Sequence, residues 1–335
     1  MYFSFDFVSL ATFFLSGIAS KARDMQGIRM KKKFSHQGFV RRMGRKDDIA
    51  WNLNTADEGD SMALRFLYRT APGRIFLKLL ICPPVSKAAG YFLSSRASKG
   101  LVPWFIRKHG IDMRGVEVPQ GGFASFNDFF SRKRKETAQR KDGVYLLSPC
   151  DGWLSFAKIR KNMVLLIKAT RFSLEDLLGD ERLAERFMDG EALIFRLTPA
   201  DYHRYCYAAD GQIVYEKRIE GKLHCVRPIA LRGVPVFARN SREYQVIESK
   251  EFGLIVQMEV GALLVGKINN HRRSQKLNNV QRGTEKGYFE FGGSTIILLV
   301  QKNAAQFCEK WEKSCGCGIE RKVRMGEAVA EAAPK

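Results

Sequence analysis

From about residue 144 onward the chain alternates short apolar runs with glycine-containing turns. Runs at Trp153–Ile159, Val164–Ile167, Leu193–Leu197, Gln212–Tyr215, Leu254–Val260, Leu263–Ile268 and Ile296–Val300 predict strands, because β-branched and aromatic side chains pack well on a pleated surface. The last run is apolar at every position and predicts a buried strand. One helix interrupts this texture: Ser173 is placed to cap it, Glu175 and Asp176 fall in its first turn, and Gly179 follows it. Residues 61–113 read differently. There Leu64, Leu67 and Tyr68, then Ile75, Leu79 and Leu80, recur at helical spacing until Cys82-Pro-Pro84 breaks the second helix. A further helix runs from Val85 towards Ser94, and Gly121-Gly122 marks a boundary. The pattern predicts an α+β chain in three parts: a basic arm over 1–47, a helical region over 48–120, and a β-rich region over 121–335.

Charge narrows the class of partner. Lysine and arginine number 56 against 35 acidic residues, a formal net charge of +21 that calls for an anionic partner. No zinc-finger spacing or other nucleic-acid signature accompanies the charge, so no nucleic acid is expected. Basic and aromatic residues instead interleave with apolar ones, as in Arg74-Ile-Phe-Leu-Lys-Leu-Leu-Ile81, which suits an anionic phospholipid membrane. Each basic residue near such a leaflet contributes about 1 kcal/mol. The helical region is therefore either core packing or a hairpin whose greasy, basic, membrane-facing side meets lipid. Residues 21–47, with Lys31-Lys-Lys33 and Arg41-Arg42, read as an exposed arm that is disordered or targeting. Residues 2–18 are apolar but contain Asp6, lack a basic start, and fall short of the roughly 20 apolar residues that span a bilayer. They read as an interfacial anchor, a degenerate targeting segment, or a product of start-site choice, with Met25 or Met30 the true beginning. A hydrophobic content of 45% excludes wholesale disorder. The seven cysteines follow no regular spacing, and Cys315-Gly-Cys317 lacks the spacing and the second pair of a zinc knuckle. Free thiols in a reducing compartment, and no metal, are expected.

The chemistry centres on Gly292-Gly-Ser-Thr295, immediately before the last apolar strand. Alone, it is an ordinary Gly-Gly turn. In context, Gly287-Tyr-Phe-Glu-Phe-Gly-Gly-Ser-Thr295 resembles the self-cleavage site of the phosphatidylserine decarboxylases. Ser148-Pro-Cys-Asp-Gly152, Asp201-Tyr-His-Arg204 and Val260-Gly-Ala-Leu-Leu-Val-Gly266 match that family in the same order, as does Ser125-Phe-Asn-Asp-Phe-Phe-Ser-Arg132. The resemblance covers roughly residues 60–330. It implies self-cleavage between Gly293 and Ser294 into a large chain (1–293) and a small chain (294–335). It also implies a covalent pyruvoyl group made from Ser294, a Schiff base with phosphatidylserine, and release of carbon dioxide to leave phosphatidylethanolamine. The implied catalytic part is a mostly-β barrel-sandwich that closes with a hairpin over Glu320–Glu327, as in biotinyl/lipoyl-like domains. A homodimer is compatible with it. The implied location is the cytoplasmic face of the cell membrane, or the mitochondrial inner membrane in a eukaryote. Two rivals stand beside this reading: a non-processing lipid-binding barrel, and a pyruvoyl-dependent decarboxylase of a soluble amino acid.

A serine hydroxyl needs a base before it attacks a carbonyl. Of five histidines, His36 and His109 lie among basic residues and His271 follows Asn269-Asn270 in a polar loop, so all three read as solvated. His203 matches a family histidine. Many members carry a second histidine three residues on, tied to self-cleavage, where this chain has Cys206. His224, in Gly221-Lys-Leu-His-Cys-Val226, stands where many relatives have an apolar residue. The base is therefore His203 or His224, with the Cys206 thiolate a third option. Asp151 is expected to orient the histidine, as the acid does in a serine–histidine–aspartate relay; otherwise it is simply the Asp of an Asp-Gly turn. Asp201 reads as a supporting acid or a turn residue, and Gly261, Ala262 and Gly266 as small residues that permit close packing near the serine.

Overall fold

Strand β11 (Ser294–Val300) is buried at all seven positions. It lies antiparallel between β3 (Glu191–Leu197) and β7 (Gly253–Val260), which satisfy its backbone on both sides. In the computed structural model, the residues described are 66, 70, 72–73, 83–135, 143–159, 173–221, 240–261, 267–271, 278–291, 294–308, 311 and 320–334. Around β11 an eight-stranded sheet runs in the order β13 (Arg321–Val323), β2 (Gly152–Lys158), β3, β11, β7, β6 (Arg242–Ser249), β5 (Gly211–Ile219) and β9 (Asn279–Val280). Two three-stranded sheets accompany it: β4 (Arg204–Cys206), β10 (Glu285–Phe289) and β8 (Ile268–Asn270) in the order β4-β10-β8, and β1 (Tyr145–Leu147), β14 (Ala328–Ala332) and β12 (Ala305–Phe307) in the order β1-β14-β12.

The period-two alternation of β11 divides the core into two. Ile297 and Leu299 pack with Leu174, Leu177 and Phe187 of the helical layer. Ile296, Leu298 and Val300 pack with Tyr205, Phe289 and Val329, carried by the two small sheets. The large sheet is thus covered by helices on one face and by strands on the other.

Helices α1 (Pro83–Leu93), α2 (Leu101–His109) and α3 (Phe126–Phe130) precede β1, with a short 3-10 turn at Arg96–Gly100. Pro83 and Pro84 occupy the first turn of α1, where a missing N–H costs nothing. These helices share one apolar cluster with Phe291, whose ring lies 5.1 Å from Phe126 and 5.2 Å from Phe130. The helical layer therefore presses on the chain three residues before Ser294. Helix α4 (Leu174–Leu178) has the expected ends: Ser173 and Asp176 form a reciprocal capping box, and Gly179 adopts the left-handed conformation at φ 59°. Helix α5 (Glu181–Glu185) follows, capped by Asp180.

Several expectations shift. The last apolar strand begins at Ser294 itself, and β5 runs on to Ile219. Strand β6 went unread because its buried positions include Arg242, Gln245 and Ser249. The closing hairpin is corrected: β13 and β14 do not pair with each other but join different sheets, β13 on β2 and β14 between β1 and β12. The turn between them docks elsewhere, with Gly326 N donating to the Ser148 carbonyl and Ser148 N to the Glu327 carbonyl. The strand expected at Val164–Ile167, most of that at Leu263–Ile268, and the helices before Pro83 lie outside the described residues. Among the described residues no helix is long and apolar enough to cross a membrane.

Arg242 shows why a polar strand can be internal. It is buried, and its guanidinium donates to the carbonyls of Leu177 (2.7 Å), Asp176 (2.7 Å) and Asn240 (3.0 Å), closing the C-terminal end of α4. Arg242→Met should lower unfolding free energy by roughly 2–4 kcal/mol, since buried carbonyls lose charge-assisted partners. Arg218→Met, on an exposed side chain, should change it by less than about 0.5 kcal/mol. Urea denaturation of both variants checks this, and equal effects would contradict the capping role.

Candidate active site

Ser294 is fully buried and pairs in register with Leu197, the last residue of β3. Strand alternation puts its side chain on the face of Ile296 and Leu298, towards the small sheets. Thr295 points to the opposite face, buried, with its Oγ1 lacking a hydrogen-bond partner. The approach to Ser294 is held at Phe291, whose N–H donates to Asn127 Oδ1 at 3.2 Å. Asn127 sits on α3, which Ser125 caps through the Asp128 N–H. Gly292 and Gly293 lie outside the described residues.

His203 lies in the connection from β3 to β4 and is fully buried. Its Nδ1 is 2.9 Å from the Asp201 carbonyl oxygen, so Nδ1 carries the proton and donates it. Nε2 is then a bare lone pair, and it has no hydrogen-bond partner. The ring lies 3.9 Å from that of Phe130, and the His203 carbonyl accepts from Phe289 N at 2.9 Å. Burial, and then the nearby Arg132 charge, push this imidazole down from 6.5 to about 3, against the opposing backbone hydrogen bond. Arg132 itself is buried against the Phe129 ring at 5.1 Å, with Nη2 3.4 Å from the same Asp201 carbonyl. Burial, and then Arg134, pull its own value down to about 10, so it stays cationic at neutral pH. The product is a neutral, buried imidazole whose Nε2 is a bare lone pair.

Asp201 is a turn residue here: its Oδ2 accepts from both the backbone N–H and the hydroxyl of Thr198 at 2.7 Å. Asp151 departs from expectation. Its Oδ2 pairs with Arg134 at 2.6 Å and its Oδ1 accepts from Met325 N at 2.9 Å, so both oxygens are engaged. A direct Asp151–His203 hydrogen bond is not made, because the β13–β14 turn occupies one oxygen and Arg134 the other. The glycine after it has a packing reason: a Cβ on Gly152 would stand 2.7 Å from the Arg196 carbonyl oxygen.

Cys206 is buried, its Sγ 3.8 Å from the Ser148 carbonyl, and burial raises the thiol to about 12. Burial thus favours the protonated thiol at neutral pH and disfavours the thiolate option. His224 and Gly293, expected at the site, lie outside the described residues, as do Ala262 and Gly266. Two histidines read as solvated have close neighbours: His271 Nε2 is 2.6 Å from Glu285 Oε1, and the His109 ring is 4.3 Å from Phe105. No trio of His, Cys, Asp or Glu suited to a metal occurs among the described residues.

A family model described as phosphatidylserine decarboxylase matches residues 126–331. A relative from Clostridium acetobutylicum, named phosphatidylserine decarboxylase proenzyme 2, is 41% identical over 271 residues, covering 80% of this chain and 91% of its own. Relatives named phosphatidylserine decarboxylase proenzyme from Ruminiclostridium cellulolyticum and Clostridium kluyveri are 38% and 39% identical, over 81% and 79% of this chain and 92% and 91% of their own lengths. The chain belongs to the phosphatidylserine decarboxylase family. Three of the stretches that resemble it, Ser125–Arg132, Asp201–Arg204 and the approach to Ser294 at Phe291, are joined by contacts around one region. Two residues of this region went unread. Arg132 ends the Ser125–Arg132 motif, and Arg134, just beyond it, stacks at 4.2 Å on the Tyr202 ring; as sequence, Arg132-Lys-Arg134 is indistinguishable from a solvated basic run.

The shift at His203 fixes a sign. The unfolded chain binds a proton at this histidine below about pH 6.5, whereas the folded chain does not until about pH 3. Stability from this group is therefore complete above pH 6.5 and falls through that window by up to about 1.4 kcal/mol per pH unit. His203→Gln should flatten the acid limb of the stability curve between pH 6 and 4, measured by urea midpoints relative to wild type. Parallel curves would show that the imidazole titrates as if solvated.

Proposed function

We propose that the chain is a carboxy-lyase that converts phosphatidylserine to phosphatidylethanolamine and carbon dioxide, using a pyruvoyl group made from its own Ser294. The carrying observation is Ser294 itself: a buried serine at the first position of the central strand, on the face of the small sheets that carry the chain about His203. A neutral imidazole with an unpartnered Nε2 in that layer fits a site where protons are moved without bulk water.

The self-processing step balances without an external reagent other than water. Ser294 Oγ, relieved of its proton by the base, attacks the Gly293 carbonyl carbon, and the C–N bond breaks in favour of a C–O ester. Loss of the Ser294 α-proton with cleavage of Cβ–Oγ releases the Gly293 carboxylate and leaves a dehydroalanine at 294. Water then supplies the ketone oxygen and ammonia departs. The ketone so formed supplies an acceptor for the substrate amine and for the electrons released on decarboxylation. Among the proton tasks that fall to the protein are deprotonating the serine hydroxyl and protonating the product carbon; His203 and His224 divide these two. Burial first, and Arg132 second, keep His203 neutral for its share. Asp151 supports the arrangement at one remove, anchoring Arg134 and the β13–β14 turn.

The substrate places the enzyme at a membrane, and the barrel-sandwich reading and the three-part division belong to this proposal as well. The helical layer suits lipid: Tyr91 on α1 is 79% exposed, and on α2 Lys108 lies 4.9 Å from the Trp104 ring centre.

A denaturing gel with intact mass separates the steps. Wild type should yield a small chain beginning at a blocked residue 294, and Ser294→Ala a single uncut, inactive chain. His203→Ala and His224→Ala should each lower rate by roughly 10²–10⁴-fold, one in cleavage and the other in carbon dioxide release, while Cys206→Ala affects neither. An uncut wild type that still releases carbon dioxide from phosphatidylserine would refute the scheme. Vesicle sedimentation tests the membrane part: binding should require anionic lipid and weaken with salt, because exposed charges are screened over roughly 8 Å at physiological ionic strength. Equal binding to neutral vesicles at high salt would rule out electrostatic recruitment.

A further inference from the structure

A fully buried ion pair lies outside the chemistry described so far. The Lys286 ammonium on β10 donates to Glu259 Oε2 on β7, and both side chains have no solvent exposure. Lys286 Nζ also reaches Asn270 Oδ1 at 3.4 Å, and Tyr205 OH donates to that same oxygen at 3.1 Å. Asn270 Nδ2 in turn donates to Glu243 Oε2 at 2.9 Å, and Gln257 bridges the backbone through Cys206 O (2.9 Å) and Ala208 N (3.1 Å). Every strand of the β4-β10-β8 sheet thus contributes one polar group, and β6 and β7 of the large sheet answer them. Glu259 pairs in register with Ile296, which places the network diagonal to Ser294 on one face, roughly 7–8 Å along the sheet.

Stability alone does not account for the pair. Replacing a buried ion pair by apolar residues of similar size is often neutral or stabilising, whereas removing one partner costs about 3–5 kcal/mol. Its position says more. Strand β10 leads within a few residues to Ser294, and Phe289 at its end holds the His203 carbonyl. If the chain is cut before Ser294, β10 becomes the last strand of the large chain and loses its covalent tie to β11. Lys286 and Glu259 both remain on the large chain.

We propose that the Lys286–Glu259 pair is a positioning clamp: resting on the self-cleavage reading, it holds β10, and through β10 the histidine at 203, against the large sheet once the chain has been cut. The pair then acts on decarboxylation rather than on cleavage.

The test compares wild type, Lys286→Met and the double variant Lys286→Met/Glu259→Leu, which removes the unpaired carboxylate in case the single variant fails to fold. Intact mass reports cleavage, steady-state carbon dioxide release from phosphatidylserine vesicles reports kcat and KM, and carboxypeptidase digestion followed by mass reports how firmly the new large-chain end is held. The expected result is cleavage as in wild type, kcat lower by about ten- to a hundredfold with KM unchanged, and trimming that proceeds past Phe289, where wild type stops short of it. A cleaved double variant with wild-type kcat and a resistant end overturns the proposal, and so does a double variant that never folds, which would assign the pair to folding of the precursor. A wild type not cut at 294 instead refutes the self-cleavage reading, a failure distinguishable from these.

Discussion

The structure depends on the double hydrogen bonding of β11. Because β3 and β7 occupy both its edges, and apolar layers cover both its faces, the strand has no solvent-facing side from Ser294 to Val300. That constraint puts a hydroxyl where bulk water does not compete for it. It also fixes the strand so firmly that chemistry on the bond preceding it need not disturb the fold. Everything else about the site is arranged relative to this immobile strand: the helices press on Phe291 just upstream, and the small sheets bring the histidine segment to the same side.

Electrostatics inside the molecule run against its exterior. A chain with a formal charge of +21 repels protons from its surroundings in general, yet the decisive effect is local. Arg132 and His203 share one acceptor, the Asp201 carbonyl, so a guanidinium stands beside the imidazole in a dry environment. The imidazole is kept neutral by burial first and by that cation second. Asp151, the acid expected to charge-stabilise the ring, is committed to Arg134 and to the backbone of Met325. A carboxylate in direct contact would have raised the imidazole's proton affinity; placing it elsewhere leaves the ring neutral.

What could be read from the sequence followed from local rules. The capping box at Ser173, the strands rich in branched apolar residues, and the glycine-serine approach to β11 each depend on a few adjacent residues. The family motifs single out Ser294, His203 and Asp151 as candidates, because their residue types and order are themselves the signal. The remainder depended on contacts between distant segments. Nothing around Arg242 announces that it closes a helix some 65 residues earlier in the chain. Nothing around Lys286 announces a carboxylate 27 residues before it. A lysine in a strand of mixed polarity, and an arginine opening a strand with Glu243 beside it, look like solvated positions until a second layer covers them. The turn after β13 was misread for the same reason, since its partner is the Ser148–Asp151 segment rather than its own flanks.

The docking of that turn has a consequence for how such a molecule can be inherited. Residues from 294 onward supply the central strand of the large sheet, an edge strand of the same sheet, and both the middle strand and one edge of another. Divided at 294, the two products would interleave, with strands of the shorter one paired to strands of the longer in two separate sheets. Such a piece has no surface of its own on which to fold and nowhere to insert once its neighbours have paired. On the proposed reading a division at 294 would follow folding, and the two products would arise together from one chain. A gene split at this point would have to rebuild two interleaved sheets from pieces that meet by diffusion.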